Sequence, residues 1–367
     1  MSKPVLSPEL SRLVQVCLQP PGAAGAATPV DSERLLALAS WHGVRPLLFS
    51  SLRAESTPAS VYTHLQTECQ EIAVANLLQT RELLRLVQRL ASHQVPSYAY
   101  KGSLWASWLY GNQSLREQGD IDLLVPRPYL DQALALLTQD GYLPDAYRQY
   151  LLERKPGVKA AFLRTDYHIP LVWQRAAAPE SVLEVHWRVA YPRLCFEFPE
   201  QEWEAMAEDY PLQKGTVTSF RKEYQLLLII THHGGKEQWL RLKYLADLAA
   251  YLRRYGAQTD WAWVGTWARR KGMYSLLQGS LALLKSLGME WNAAWPETEA
   301  KPLSAAQLQS WESMAALPEN STWPYLRHAL QTRDGAHRLK VLLAHARYAS
   351  EWYLLYHKAL WYRQGTS

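Results

Sequence analysis

The chain has 367 residues, 48% apolar and 20% charged, a globular balance that excludes collagen-like, low-complexity and disordered classes. Its 39 Lys and Arg against 34 Asp and Glu give a net charge of +5, which falls short of the basic excess needed to track a nucleic acid, so that partner is disfavoured while a phosphate-bearing small ligand fits. Three widely spaced cysteines, Cys17, Cys69 and Cys195, argue against a disulfide framework or a zinc site and suggest a reducing, cytoplasmic setting.

Glu9 and Arg12 interrupt any apolar run near the start, against a secretory signal. No stretch approaches the ~20 apolar residues of a membrane span, and "LLLII" at 226–230 reads as a piece of a buried helix. Sixteen Trp and 21 Tyr against 5 Phe make large amphipathic rings the main core material.

Residues 1–30 form an N-terminal segment ending in the linker "PPGAAGAATPV". A helical subdomain is expected over 31–94, with a cap at Asp31 or Ser32 and a long amphipathic pattern over 61–94 that contains no glycine or proline. The texture changes at Val95. An α/β core is expected over 95–215: a strand in "VPSYAYKG", a helix in "SLWASWLY", a strand in "DIDLLVP" and a helix from Tyr129 to Gln139 stopped by Asp140-Gly141. Three further strands are expected in "VKAAFLRT", "HIPLVWQ" and "SVLEVHWRVA", the last two joined through "RAAAPE". The helical period returns by Glu223, and 216–367 is expected to be a helical subdomain. The expected class is therefore α+β, a mixed sheet with helices flanked by helical subdomains.

Two acidic residues interrupt the core pattern of the second strand. Strand side chains alternate faces, so Asp120 and Asp122 point one way while Ile121 and Leu123 point into the core. Two carboxylates roughly 7 Å apart on one face repel unless a cation sits between them. A hard divalent ion such as Mg²⁺ accepts oxygen from both and needs more ligands. Glu184 in "VLEVHWRV" is the best third carboxylate, with His186 on the same face. Upstream, Gly102 allows close backbone approach and Ser103 opens a helix, where free N–H groups favour phosphate; Lys101 and Arg116 are cationic candidates for its oxygens. A solvated strand face, a Glu184–Arg188 ion pair, a plain capped turn at Gly102-Ser103, structural ion pairs of Lys101 and Arg116, and a core role for His186 are the open alternatives.

The ordered set in "KGSLWASWLYGNQSLREQGDIDLLV", "LTQDGY", "LEVHWRV" and "HHGGKEQWLRLKYLADLAAYL" resembles the nucleotidyltransferase superfamily with the DNA polymerase β type of catalytic fold. More narrowly it resembles a bacterial family of uncharacterised nucleotidyltransferases, over roughly residues 35 to 255. The resemblance implies that two Mg²⁺ ions bridge Asp120 and Asp122 to a nucleoside triphosphate, most often ATP. It also implies that Glu184 holds the ion at the attacking oxygen, and that an acceptor hydroxyl attacks the α-phosphorus with loss of pyrophosphate. Two departures stand out: a longer loop, "GNQSLREQG", that must fold back over the site, and Glu where much of the superfamily has Asp.

In related enzymes the later helices close over the nucleotide, which brings in Arg241 and Lys243, along with His232 and His233. A solvated helix face with Asp247 paired to Lys243 is the other reading. The basic, aromatic C-terminus fits an amphipathic helix packed on the domain, although such interleaving also suits base stacking or a membrane surface. The acceptor and the oligomeric state are not fixed by these residues. The competing function is a catalytically inactive nucleotide-binding scaffold or toxin–antitoxin component.

Overall fold

Asp31 caps the helix expected after the linker, its carboxylate accepting from the backbone N–H groups of Glu33 and Arg34. In this computed structural model, which describes residues 6–23, 29–173, 182–291, 303–314 and 322–364, that helix is α2 (Ser32–His42), preceded by α1 (Pro8–Leu18) and followed by α3 (Arg45–Ser51). The uninterrupted amphipathic pattern beyond them becomes one 33-residue helix, α4 (Ala59–Ala91), which buries Leu65, Leu83, Leu86 and Leu90 along a single stripe.

The mixed region follows as β1 (Tyr98–Tyr100), α5 (Gly102–Tyr110), β2 (Asp120–Leu124), α6 (Leu130–Gln139), β3 (Tyr142–Pro144), α7 (Ala146–Glu153), α8 (Pro156–Thr165), β4 (His168–Trp173) and β5 (Val182–His186). The turn after α6 has Gly141 at φ +97°, where glycine carries no Cβ penalty. The five strands form one sheet in the order β1-β2-β5-β4-β3, with β2 and β5 parallel and the other neighbours antiparallel. One face carries buried Ile121, Leu123, Leu183, Val185, Ile169 and Leu171. Their partners in the alternation form the opposite, polar face.

Two expectations are corrected. The stretch "VKAAFLRT" is not a strand but most of α8. Pro156 sits in its first turn, and Val158, Ala161 and Phe162 recur at helical spacing on the buried side. A hairpin of β6 (Ala207–Leu212) and β7 (Gly215–Phe220) follows the sheet, with β7 lying inside the stretch expected to be helical. Its alternation was visible, since Tyr210 and Leu212 are buried while Asp209 and Pro211 are exposed. The hairpin anchors on β1: Ser219 Oγ donates to the Ala99 carbonyl at 2.6 Å, and Phe220 stacks on Tyr98. The expected connection "RAAAPE" lies outside the described residues.

The remaining elements are α9 (Lys222–Ile229), a π-helical turn (Ile230–Lys236), α10 (Leu242–Tyr255), α11 (Trp261–Arg270), α12 (Tyr274–Ser286), α13 (Ala305–Glu312), α14 (Thr322–Thr332), α15 (Ala336–Ser350) and α16 (Trp352–Gln364). The "LLLII" run is buried at the α9–π junction, as its composition requires. The main apolar core is continuous from Leu10 in α1 to Leu354 in α16, so the helical parts before and after the sheet share it. Among the described residues no helix is long and apolar enough to cross a membrane. All three cysteines are free.

Candidate active site

The β1–α5 junction is built from two consecutive left-handed residues, Lys101 at φ +54° and Gly102 at φ +38°. A Cβ on Gly102 would meet the Asp120 carbonyl oxygen at 3.4 Å and Gln118 Oε1 at 3.5 Å, ordinary van der Waals contact with the start of β2, so it is the positive φ that favours glycine here. Gln118 Nε2 donates to Ser103 Oγ at 3.1 Å. The loop 111–119 therefore does return to the Gly102-Ser103 helix start, held from the other side by Asn76, which donates to the carbonyls of Gln113 and Arg116.

Strand register assembles the rest. Asp122 stands opposite Tyr100 on β1 and opposite Glu184 on β5, and His186 stands opposite His168 on β4. Residues paired across neighbouring strands share a face, so Asp120, Asp122, Glu184, His186 and His168 all lie on the polar side. His186 Nε2 lies 2.8 Å from Asp122 Oδ1 and 3.2 Å from Glu184 Oε2, and His168 Nε2 lies 3.5 Å from Glu184 Oε1. The His168 and His186 rings stack 5.2 Å apart, and His168 Nδ1 lies 3.8 Å from the Asp166 carboxylate. Lys101 Nζ pairs with the same Asp122 oxygen at 2.7 Å and lies 3.3 Å from His232 Nε2.

The charges pull one another's protonation apart. The Asp122 carboxylate and burial together push Asp120 up to about 6, with Lys101 only partly compensating. Burial raises Asp122 as well, but the Lys101 ammonium and His186 outweigh it and hold that carboxyl below its ordinary value. Glu184 shows the same contest of burial against hydrogen bonds from His168 and His186, and its carboxyl ends far below the usual range. Burial opposes the charged form of Lys101, yet Asp122 keeps it protonated. His232 is driven well down by burial and by Lys101, so it is neutral.

Asp122, Glu184 and His186 each offer one ligand atom, all within 4.8 Å of one another. Two carboxylates and an imidazole converging this closely fit a divalent cation, with one nitrogen ligand beside the oxygens. This set differs from the three carboxylates expected: Asp120 stands two residues before Asp122 on the same face, and His186 takes the third position. Access is uneven, since the Asp122 side chain is 1% exposed and that of Glu184 20%.

Other candidates fall elsewhere. Arg116 is buried and its fork is taken by Asp247, with Nε and Nη2 at 3.0–3.1 Å from the carboxylate oxygens. His233 Nε2 at 2.9 Å and the Tyr110 hydroxyl at 2.9 Å complete that carboxylate's shell. A phosphate at Arg116 would have to displace a buried carboxylate. The expected Asp247–Lys243 pair is absent among the described ion pairs, because Asp247 is already saturated. The Lys243 ammonium lies over the Tyr244 ring at 5.7 Å, and burial together with the cations Arg116 and Arg241 lowers its pKa. Arg241 stacks on Trp41 at 4.7 Å.

Sequence reasoning did not single out His168, whose only signal was its place at the head of an expected strand. It noted His232 without assigning it, and the π-helical turn that aims His232 at Lys101 is an irregularity frequent at functional sites.

A family model described as "uncharacterised nucleotidyltransferase" matches residues 28–288, more than half of the chain and the whole of this site. No curated protein matches. Among solved structures, an antigenic nucleotidyltransferase-like protein from Paracoccidioides brasiliensis is similar at 13% identity over 59% of this chain and 94% of that one, with a TM-score of 0.31, too slight a likeness to argue from. On the match over residues 28–288 the chain belongs to the uncharacterised nucleotidyltransferase family.

Proposed function

We propose that the protein is a metal-dependent nucleotidyltransferase that moves a nucleoside monophosphate, most readily AMP from ATP, onto the hydroxyl of a small molecule, sugar or protein, with release of pyrophosphate. The observation that carries this reading is the register of β2 and β5, which sets Asp122 opposite Glu184 with His186 beside them, three ligand atoms within 4.8 Å. Divalent cations such as Mg²⁺, when bound, supply charge neutralisation at the phosphates and a lowered pKa at the attacking hydroxyl. Asp120, Asp122 and Glu184 hold them, with His186 as a nitrogen ligand. Gly102 and Ser103 offer their backbone N–H groups to the phosphate tail at the start of α5. Glu184 is kept ionised by His168 and His186, which suits it to hold a cation rather than to take the acceptor's proton.

In this reading the sheet is a DNA polymerase β-type catalytic core over 95–215, flanked by helical parts over 31–94 and 216–367, in a cytoplasmic bacterial protein. The test incubates the protein with each nucleoside triphosphate, Mg²⁺ or Mn²⁺ and candidate acceptors, and follows pyrophosphate release and acceptor mass. Asp120→Ala should lower both by about a hundredfold or more; release that survives it unchanged sinks the reading.

One observation favours a second reading, a nucleotide-binding scaffold without chemistry: the Lys101 ammonium already sits 2.7 Å from Asp122, where a cation would otherwise be drawn. Calorimetry that finds nucleotide affinity indifferent to divalent ions would favour it.

A further inference from the structure

A cavity of about 300 Å³ is lined by Arg164, Arg188, Arg193, Arg347, Tyr348 and Glu351. The four arginines arrive from different places: the last turn of α8, the segment just past β5, the 3-10 turn Pro192–Leu194 and α15. Among the described residues only Arg164 of these four has a carboxylate partner, its Nε and Nη2 donating to Glu351 at 2.8–3.0 Å. Arg188 Nη1 donates to the carbonyls of Leu163 and Asp166 at 3.0 and 3.1 Å, which fixes the side chain without neutralising it. Arg193 is sandwiched 4.1 Å from the Tyr191 ring and 5.0 Å from the Tyr348 ring, and its Nε is buried with no hydrogen-bond partner. Arg347 makes no ion pair among the described residues.

Guanidinium groups repel one another, and three of them around one cavity without a carboxylate apiece store unfavourable charge that an anion would relieve. Their planar, always-charged forks match tetrahedral oxyanions better than a lysine cluster would, and ring stacking removes much of the side-chain freedom that binding would otherwise have to freeze. The volume suits a small ligand rather than a polymer. Tyr191 meets Tyr167 at 4.5 Å and Tyr167 meets His186 at 5.6 Å, so the cavity backs onto the carboxylate face through two rings.

We propose that this arginine-lined cavity binds the phosphate group of a small molecule. The inference stands apart from the nucleotidyl-transfer reading, because none of the four arginines belongs to the carboxylate site. The test is calorimetry at low ionic strength on the full chain with inorganic phosphate, glucose 6-phosphate and glucose as probes. Wild type and Asp120→Ala should bind both phosphates with the same affinity and ignore glucose. Arg347→Gln, an exposed position, should weaken phosphate binding about tenfold, as should Arg193→Gln if circular dichroism shows it folded. Tighter binding of glucose 6-phosphate supports the site with an ester as its ligand, and equal binding supports it with the free anion. Millimolar phosphate that gives no signal, or binding that Arg347→Gln leaves intact while Asp120→Ala changes it, overturns the proposal.

Discussion

Asp122 and Asp247 are equally enclosed, each side chain 1% exposed, and each meets a cation, yet their surroundings differ in kind. Asp247 is closed on every side by the Arg116 fork, His233 and Tyr110, one carboxylate against a matched set of donors. Asp122 takes Lys101 and His186 on a single oxygen, Oδ1, while two further carboxylates, Asp120 and Glu184, share its face. A buried charge that is fully matched is architecture. Asp122 is compensated through one oxygen only, and the like charge it presents raises its neighbour Asp120, the kind of perturbed group that marks functional sites.

The comparison breaks first on the matched side. Arg116→Gln leaves Asp247 uncompensated in the core and should cost about 3–5 kcal/mol in urea unfolding; a loss below about 1 kcal/mol would mean that the cluster is not a structural lock. On the unmatched side, Asp120→Ala should retain the fold and lower nucleotidyl transfer by about a hundredfold or more, comparable to removing one preorganised charge-stabilising group. A parallel collapse of stability and activity would erase the distinction between the two aspartates.

The sharper test uses pH. Asp120 is raised from 3.8 to about 6, so the folded state holds its proton more tightly than the unfolded chain does. That contribution is fully present below about 3.8 and is lost as pH rises through about 6. Asp120→Asn removes the repulsion from Asp122, so it should stabilise the metal-free protein by roughly 1–3 kcal/mol at pH 8 and by little at pH 4. Equal shifts at both pH values would contradict the like-charge account. The smallest effect is expected at the turn: Gly102→Ala forces a side chain to φ +38° and should cost about 1 kcal/mol while weakening nucleotide binding.

Local pattern made β2 readable, because Asp120 and Asp122 alternate with Ile121 and Leu123, and it made Glu184 readable between Leu183 and Val185. It could not assign Arg116, which lies four residues before Asp120 but finds its partner 131 residues away in Asp247. The histidine pair was hidden for a different reason: the stacking of His168 on His186 depends on the β4–β5 register. In α8, β-branched and aromatic residues gave a strand-like texture over a stretch too short for its helical period to dominate, and Pro156 was the overlooked start signal.

The central claim, that the β2–β5 face holds a divalent cation, is tested most directly by titrating Mn²⁺ into the protein and following the free ion by electron paramagnetic resonance. Wild type should bind Mn²⁺, and Glu184→Gln and Asp122→Asn should each weaken that binding at least about tenfold while remaining folded. Binding that is the same in all three proteins, or absent from wild type even with ATP present, would contradict the account.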